Sequence, residues 1–197
     1  MFKRVFDIFC SLIGLLVLLP FLLIISILIL SGSKGPVFYR QTRVGKSGID
    51  FRLFKFRTMV SGADKQGLLT VGSRDGRITG IGYWLRKYKI DEIPQLINVL
   101  IGEMSIVGPR PEVRRYVDLY NKEQIQVLNV KPGISDWASI KFSNENELLS
   151  QAPDPERFYI ETVMPQKLLL NMQYVKRHNL IIDLRIILST LFKIARH

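Results

Sequence analysis

Two short stretches carry the residue types that phosphate chemistry needs. In the first, Asp91 and Glu92 stand side by side ahead of Ile93, Leu96, Ile97 and Leu100, which recur at helical spacing. Pro94 is tolerated only in a first turn, so the pattern predicts a helix beginning at about Asp91. There Asp91 is a candidate N-cap. The same position suits catalysis: a helix N-terminus favours anions, one carboxylate can attack phosphorus or hold a proton, and its neighbour can bind a hard cation such as magnesium. In the second stretch Pro109 and Pro111 flank Arg110. The stiffened backbone aims the guanidinium either at a phosphate, through paired hydrogen bonds, or at a structural carboxylate.

Several elements must position these groups. Residues 37–41 and 51–57 read as short strands around Gly45, Lys46, Ser47 and Gly48, a β-hairpin. Basic residues crowd 34–57 against the single acid Asp50, as expected of a face that meets lipid headgroups or a phosphorylated ligand. Residues 71–82, with Gly72, Gly76, Gly80 and Gly82, read as a loop leading into 83–88. No dinucleotide fingerprint, P-loop or serine nucleophile elbow is present. With one cysteine and two histidines, neither a disulfide scaffold nor a thiolate or imidazole metal site is expected.

The chain has 197 residues, 28 Lys and Arg against 17 Asp and Glu, and a net charge of +11, with 47% hydrophobic residues. That apolar content argues against disorder, and the charge calls for an anionic partner. Residues 8–30 carry no charge and as one helix would extend roughly 35 Å, enough to cross a hydrocarbon core. Pro20 lies near the middle of this run. Lys3 and Arg4 precede it, while Lys34, Arg40, Arg43 and Lys46 follow, so both ends favour the cytoplasm. A helix that bends at Pro20 and returns to the same face satisfies both, and a kinked spanning helix is the alternative. Residues 180–195 combine Leu and Ile with basic residues, a pattern shared by interfacial helices and by helices packed on a core.

Taken together and in order, the proline-centred anchor, the run Phe54 to Met59, the run Asp91 to Leu96 followed by Asn98, Val99 and Leu100, and Val107 to Pro111 resemble the bacterial sugar transferases. More narrowly they resemble the small monotopic phosphoglycosyl transferases. The resemblance runs to about Ile134 and resumes weakly at residues 182–184. It implies an α+β fold: a re-entrant membrane helix broken at Pro20 (residues 1–33), then a cytoplasmic-face catalytic domain (34–197) with a small β-hairpin and several amphipathic helices at the membrane interface.

The implied reaction moves a sugar 1-phosphate from a UDP-sugar to polyprenyl (undecaprenyl) phosphate, releases UMP and begins surface glycan synthesis. Asp91 would be the nucleophile and form an aspartyl-phosphosugar, and Glu92 would bind Mg2+. Arg86 and Arg110 would hold phosphate, Pro109 and Pro111 would line the nucleotide site, and Lys55, Arg57 and Thr58 belong to the same cleft. Membrane lipids rather than nucleic acid are the further partners, at the bacterial inner membrane. Three departures stand out: Leu19 where the family often has Ser before the anchor proline, the sequence of residues 135–138, and residues 143–164. A noncatalytic membrane adaptor using the basic face is the rival reading.

Overall fold

A computed structural model describes residues 2–63, 69–72 and 75–195 of the chain. Its longest element, α1 (Phe2–Gly32), is a single helix with Pro20 inside it rather than in a loop between two helices. The proline removes one backbone bond, to the carbonyl of Leu16. Asp7, Ser11, Ile25 and Ile29 recur on one buried face, while Leu12, Leu16, Leu23 and Ile27 are exposed. By length and composition α1 is long and apolar enough to cross a membrane.

Both ends of α1 are docked on the rest of the chain. At the N-terminal end, Arg4 donates to the carbonyls of Val99 (2.6 Å) and Leu100 (2.8 Å), capping the helix α3 (Gln95–Ile101). Asp7 accepts from the Ser105 hydroxyl and the Ile106 amide, each at 3.0 Å. Lys3 pairs with Asp183 at 2.5 Å. At the other end Ile25 and Ile29 pack on Phe56 and Leu85. Arg57 there donates to the carbonyls of Ser33 (2.8 Å) and Lys34 and, more weakly, Ile29 (3.4 Å).

The expected hairpin forms with a longer first arm and the second shifted by one residue. β1 (Phe38–Val44) pairs antiparallel with β2 (Asp50–Phe56), in the register Phe38 opposite Phe56 and Val44 opposite Asp50. Along β2 the two-residue alternation turns Phe51 and Leu53 onto Val99 and Met104, and Lys55 follows on that face. Residues 71–82 are not all loop. Thr79 accepts from the Gly82 amide (3.0 Å) and starts α2 (Gly80–Lys87), so Gly80 and Gly82 are helical. Gly82 is there for space, since a Cβ would lie 2.0 Å from the Thr58 carbonyl oxygen.

A second, parallel pair joins β3 (Ser105–Val107) to β4 (Gly133–Ser135). Gly108 and Gly133 let the backbones touch, because a Cβ on Gly133 would lie 2.0 Å from the Gly108 nitrogen. The largest apolar cluster includes Tyr116 of α4 (Arg114–Val117), Leu149 of α6 (Glu145–Ser150), Tyr159 and Val163 of a π-turn, and Leu168 of α8 (Met164–Arg177). Short helices α5 (Trp137–Lys141) and α7 (Pro155–Phe158) fill the connections. In α9 (Leu180–Ala195), Ile186 joins a cluster with Val107 and Tyr174, while Ile181, Leu184, Leu188 and Leu191 form an exposed stripe.

Candidate active site

The carboxylate pair does not open a helix. Lys89 adopts a left-handed conformation (φ 57°), Ile90–Glu92 forms a 3-10 turn, and α3 begins only after Pro94. Asp91 is therefore not an N-cap. Its side chain is 6% exposed, and its Oδ1 accepts no hydrogen bond from any described residue. The left-handed Lys89 opens a 3-10 turn closed by bonds from the Glu92 and Ile93 amides to the Lys89 and Ile90 carbonyls, so the pair sits in a tight turn with Asp91 turned inward.

The Glu92 carboxylate is clamped from two sides. Arg110 reaches both of its oxygens, Nη1 to Oε2 at 3.0 Å and Nη2 to Oε1, and Lys55 Nζ lies 3.1 Å from Oε1. Arg86, from the last turn of α2, donates to Thr70 (2.9 Å) and lies 3.5 Å from the Thr58 hydroxyl. Lys55 and Arg110, expected near the dyad, are thus brought onto Glu92, while Arg86 acts on Asp91 through its charge and Thr58 is met through Arg86. Arg57 is the exception. Its guanidinium is spent on the carbonyls at the end of α1, because residue 57 lies past the end of β2.

Opposing fields set the protonation of the two acids. Burial pushes the Asp91 carboxyl above the usual carboxylate range, and Lys55 opposes it only in part. Burial would raise Glu92 too, but Arg110 and Lys55 outweigh it and hold Glu92 well below that range. Burial also lowers the Lys55 ammonium, against the pull of Glu92. An attacking Asp91 must be ionised. The ascending limb of kcat/KM should therefore lie above the ordinary aspartate range, and the descending limb should begin below the ordinary lysine range if charged Lys55 is required. A pH profile from 5 to 10 on a logarithmic scale, with Lys55→Arg shifting only the upper limb, is the measurement that checks this.

Asp136 holds Arg110 in place. Its Oδ2 accepts from the Arg110 amide at 2.8 Å, and its Oδ1 caps α5 through the Ser139 amide. Asp136 is 1% exposed. A sequence signal existed, an Asp ahead of a short helical run, but it points to a cap and not to a partner residues away in the chain. Asn98 is the second missed residue. Fully buried, it accepts from the Phe54 amide (2.9 Å) and donates to the Arg52 carbonyl (2.9 Å) and Glu103 (2.7 Å), tying α3 to β2 and so the dyad to Lys55. Pro109 and Pro111 fix the arm through their carbonyls, which accept from the Gly133 amide (3.0 Å) and from Arg43 (3.2 Å).

No group of three or more metal-ligating side chains occurs among the described residues. Two adjacent carboxylates, one with an unpartnered buried oxygen, suit a hard cation that keeps most of its ligands from water and phosphate, as magnesium does. The arrangement therefore pairs a buried, raised carboxyl with a cationic ring of Lys55, Arg86 and Arg110 that can neutralise an incoming diphosphate.

The chain is similar to several characterised proteins. It is 36% identical over 192 residues to the UDP-N-acetylgalactosamine-undecaprenyl-phosphate N-acetylgalactosaminephosphotransferase of Aeromonas hydrophila, covering 96% of this chain and 42% of that protein. It is 35% identical over 196 residues to the UDP-glucose:undecaprenyl-phosphate glucose-1-phosphate transferase of Xanthomonas campestris pv. campestris, covering 98% and 38%. To the exopolysaccharide production protein PSS of Rhizobium leguminosarum bv. phaseoli it is 38% identical over 195 residues, covering 95% and 92%. The chain thus spans less than half the length of the first two relatives and nearly all of the third. A sequence model of the bacterial sugar transferase family matches residues 1–197, and to that family the chain belongs.

Proposed function

We propose that this chain transfers a sugar 1-phosphate from a UDP-sugar to undecaprenyl or another polyprenyl phosphate, with UMP as the leaving group. The observation that carries the reading is the Asp91 carboxylate, buried and unpartnered at Oδ1 beside three cations that can bind a diphosphate. Relatives named for this transfer support it. An Asp91 oxygen attacks the phosphorus that bears the sugar. The bond from that phosphorus to the bridging oxygen breaks, and UMP departs with the oxygen. A phosphate oxygen of the polyprenyl acceptor then attacks the same phosphorus, forming the lipid diphosphosugar and returning Asp91 as a carboxylate.

Arg110 and Arg86 hold phosphate oxygens, and Lys55 adds positive charge where negative charge accumulates. Arg110 also keeps Glu92 ionised in this arrangement. Glu92 would hold magnesium, which when bound neutralises charge on the diphosphate.

The reaction needs a water-soluble donor and a lipid acceptor at one place. Docking of both α1 ends on one domain supports an anchor that enters and leaves on the same face, with Pro20 at its depth. The basic residues at both ends support a cytoplasmic face for it, at the bacterial inner membrane.

The test is intact-mass analysis of the membrane-embedded protein incubated with UDP-sugars and no acceptor. One phosphosugar added per chain, one UMP released, and discharge of the adduct by polyprenyl phosphate are expected. Turnover without an adduct would overturn the covalent route, and no UMP from any UDP-sugar would overturn the reaction.

A further inference from the structure

Behind Arg110 the chain encloses a cavity of about 150 Å³. Arg110 and Pro111 form its near wall. The far wall comes from α6, the π-turn and α8, including Glu145, Asn146, Tyr159, Lys167 and Asn171. A water needs only about 15 Å³ by the same kind of measure, so the space suits a ligand the size of one sugar ring.

The charges on this wall cancel. Arg43 pairs with Glu112 at 2.9 Å and Lys167 with Glu145 at 2.7 Å, while Arg110 is matched to Glu92. Away from Arg110 a phosphate would meet Arg43 and Lys167 already paired, so an uncharged polar group is favoured there. Glu112 already takes Arg43, the Val113 amide and the Tyr159 hydroxyl, whereas the Glu145 carboxylate is met by Lys167, and the buried Tyr116 hydroxyl has no hydrogen-bond partner among the described residues. Asn171 is 5% exposed, and its Oδ1 accepts no hydrogen bond from any described residue. A buried acceptor without a donor costs about 1–3 kcal/mol, so its retention points to a ligand that donates. A pyranose brings several hydroxyl donors, whereas uracil brings one N–H and two further acceptors.

Position agrees with chemistry. Arg110 borders the cavity and also touches Glu92 beside Asp91, so a ring seated here leaves its attached phosphate at Arg110, next to the proposed nucleophile. Glu145, Asn146 and Tyr159 lie in residues 143–164, the segment that departs most from the family resemblance.

We propose that this cavity is the subsite for the hexose of the sugar-nucleotide donor, with Asn171 and Glu145 as the acceptors that read its hydroxyl pattern. The identity of the donor rests on the transfer reading above. The subsite itself is tested by binding. Affinities of UDP, UDP-glucose, UDP-galactose, UDP-N-acetylglucosamine and UDP-N-acetylgalactosamine would be measured for the full chain in lipid nanodiscs, for wild type, Glu145→Gln and Asn171→Ala. Wild type should spread the four sugars by about tenfold or more, and each variant should compress that spread to about threefold while UDP affinity stays within about twofold.

A wild type that binds all four sugars alike would overturn the subsite. So would variants that weaken UDP as much as the UDP-sugars, which would assign the cavity to the nucleoside. If Asn171→Ala fails to fold, the nearly isosteric Glu145→Gln decides alone. Variant-sensitive sugar discrimination without UMP release in any reaction would support the subsite and overturn the transfer reading.

Discussion

Asp91→Asn should reduce UMP release at saturating UDP-sugar by about 10³-fold or more, with little change in KM. The substitution preserves shape and removes the carboxylate proposed to form an acyl phosphate, while Glu92, the other acid of the turn, stays held by Arg110 and Lys55. Arg110, Lys55 and Arg86 remain to bind the diphosphate, so the loss falls on kcat. Stability should move little or rise. Burial raises the folded-state value of Asp91 above that of the unfolded chain. Its contribution to stability is thus present below the unfolded value, near 3.9, and is lost as pH rises through the folded value. Once ionised, the wild type carries a buried charge that the amide does not. A melting temperature at pH 7.5 equal to or above wild type, together with lost turnover, is the expected pair of results. Retained turnover would remove Asp91 from the chemistry, and collapse of the fold would make the kinetic loss uninformative about the nucleophile.

Asn98→Ala should have the largest structural effect of any single change near the site. The side chain makes three hydrogen bonds, and truncation strands the Phe54 amide and the Arg52 carbonyl in the seam between α3 and β2. Two unsatisfied groups and the lost side-chain bonds amount to about 3–5 kcal/mol, or a fall in melting temperature of roughly 10 °C for a chain of this size. Because α3 follows the dyad directly and β2 carries Lys55, the Lys55–Glu92 contact should loosen along with the fold. Thermal unfolding in nanodiscs measures the first effect. The second would appear as an activity loss that persists well below the melting temperature, and a melting temperature within about 2 °C of wild type would refute the tie.

Local chemistry was legible in the order of residues. An uncharged run of this length has few places to exist other than lipid, and two prolines around Arg110 stiffen the chain wherever it lies. Aromatic residues in 51–57 marked a strand, and the structure puts Lys55 on the face of Phe51 and Leu53. The adjacent carboxylates and the basic crowd nearby were equally plain. What misled was the helix start at Asp91. The periodicity of Ile93, Leu96, Ile97 and Leu100 is real, but it belongs to a helix that begins after Pro94, and the left-handed Lys89 that tightens the preceding turn leaves no mark in residue type. Gly80 and Gly82 misled in the opposite direction. They are helical, and the space that Gly82 leaves is claimed by the Thr58 carbonyl, which lies far from it along the chain.

By itself, then, the sequence determined the anchor, the hairpin, the family resemblance and the residue types that could handle a diphosphate, because those depend on hydrophobic length, two-residue alternation and covalent stiffness within a few neighbours. Only the tertiary structure decided which cations serve the dyad. Lys55 and Arg57 are two residues apart at the end of one strand, yet one meets Glu92 and the other ties down α1. Asp136 and Asn98 became positioning residues only when β4 and β2 came alongside, and the cavity beside Arg110 exists only because residues 143–171 fold back over it. Charge separation and burial, which push the Asp91 and Glu92 carboxyls in opposite directions, act through space over a few ångströms, and distance along the chain carries no record of them.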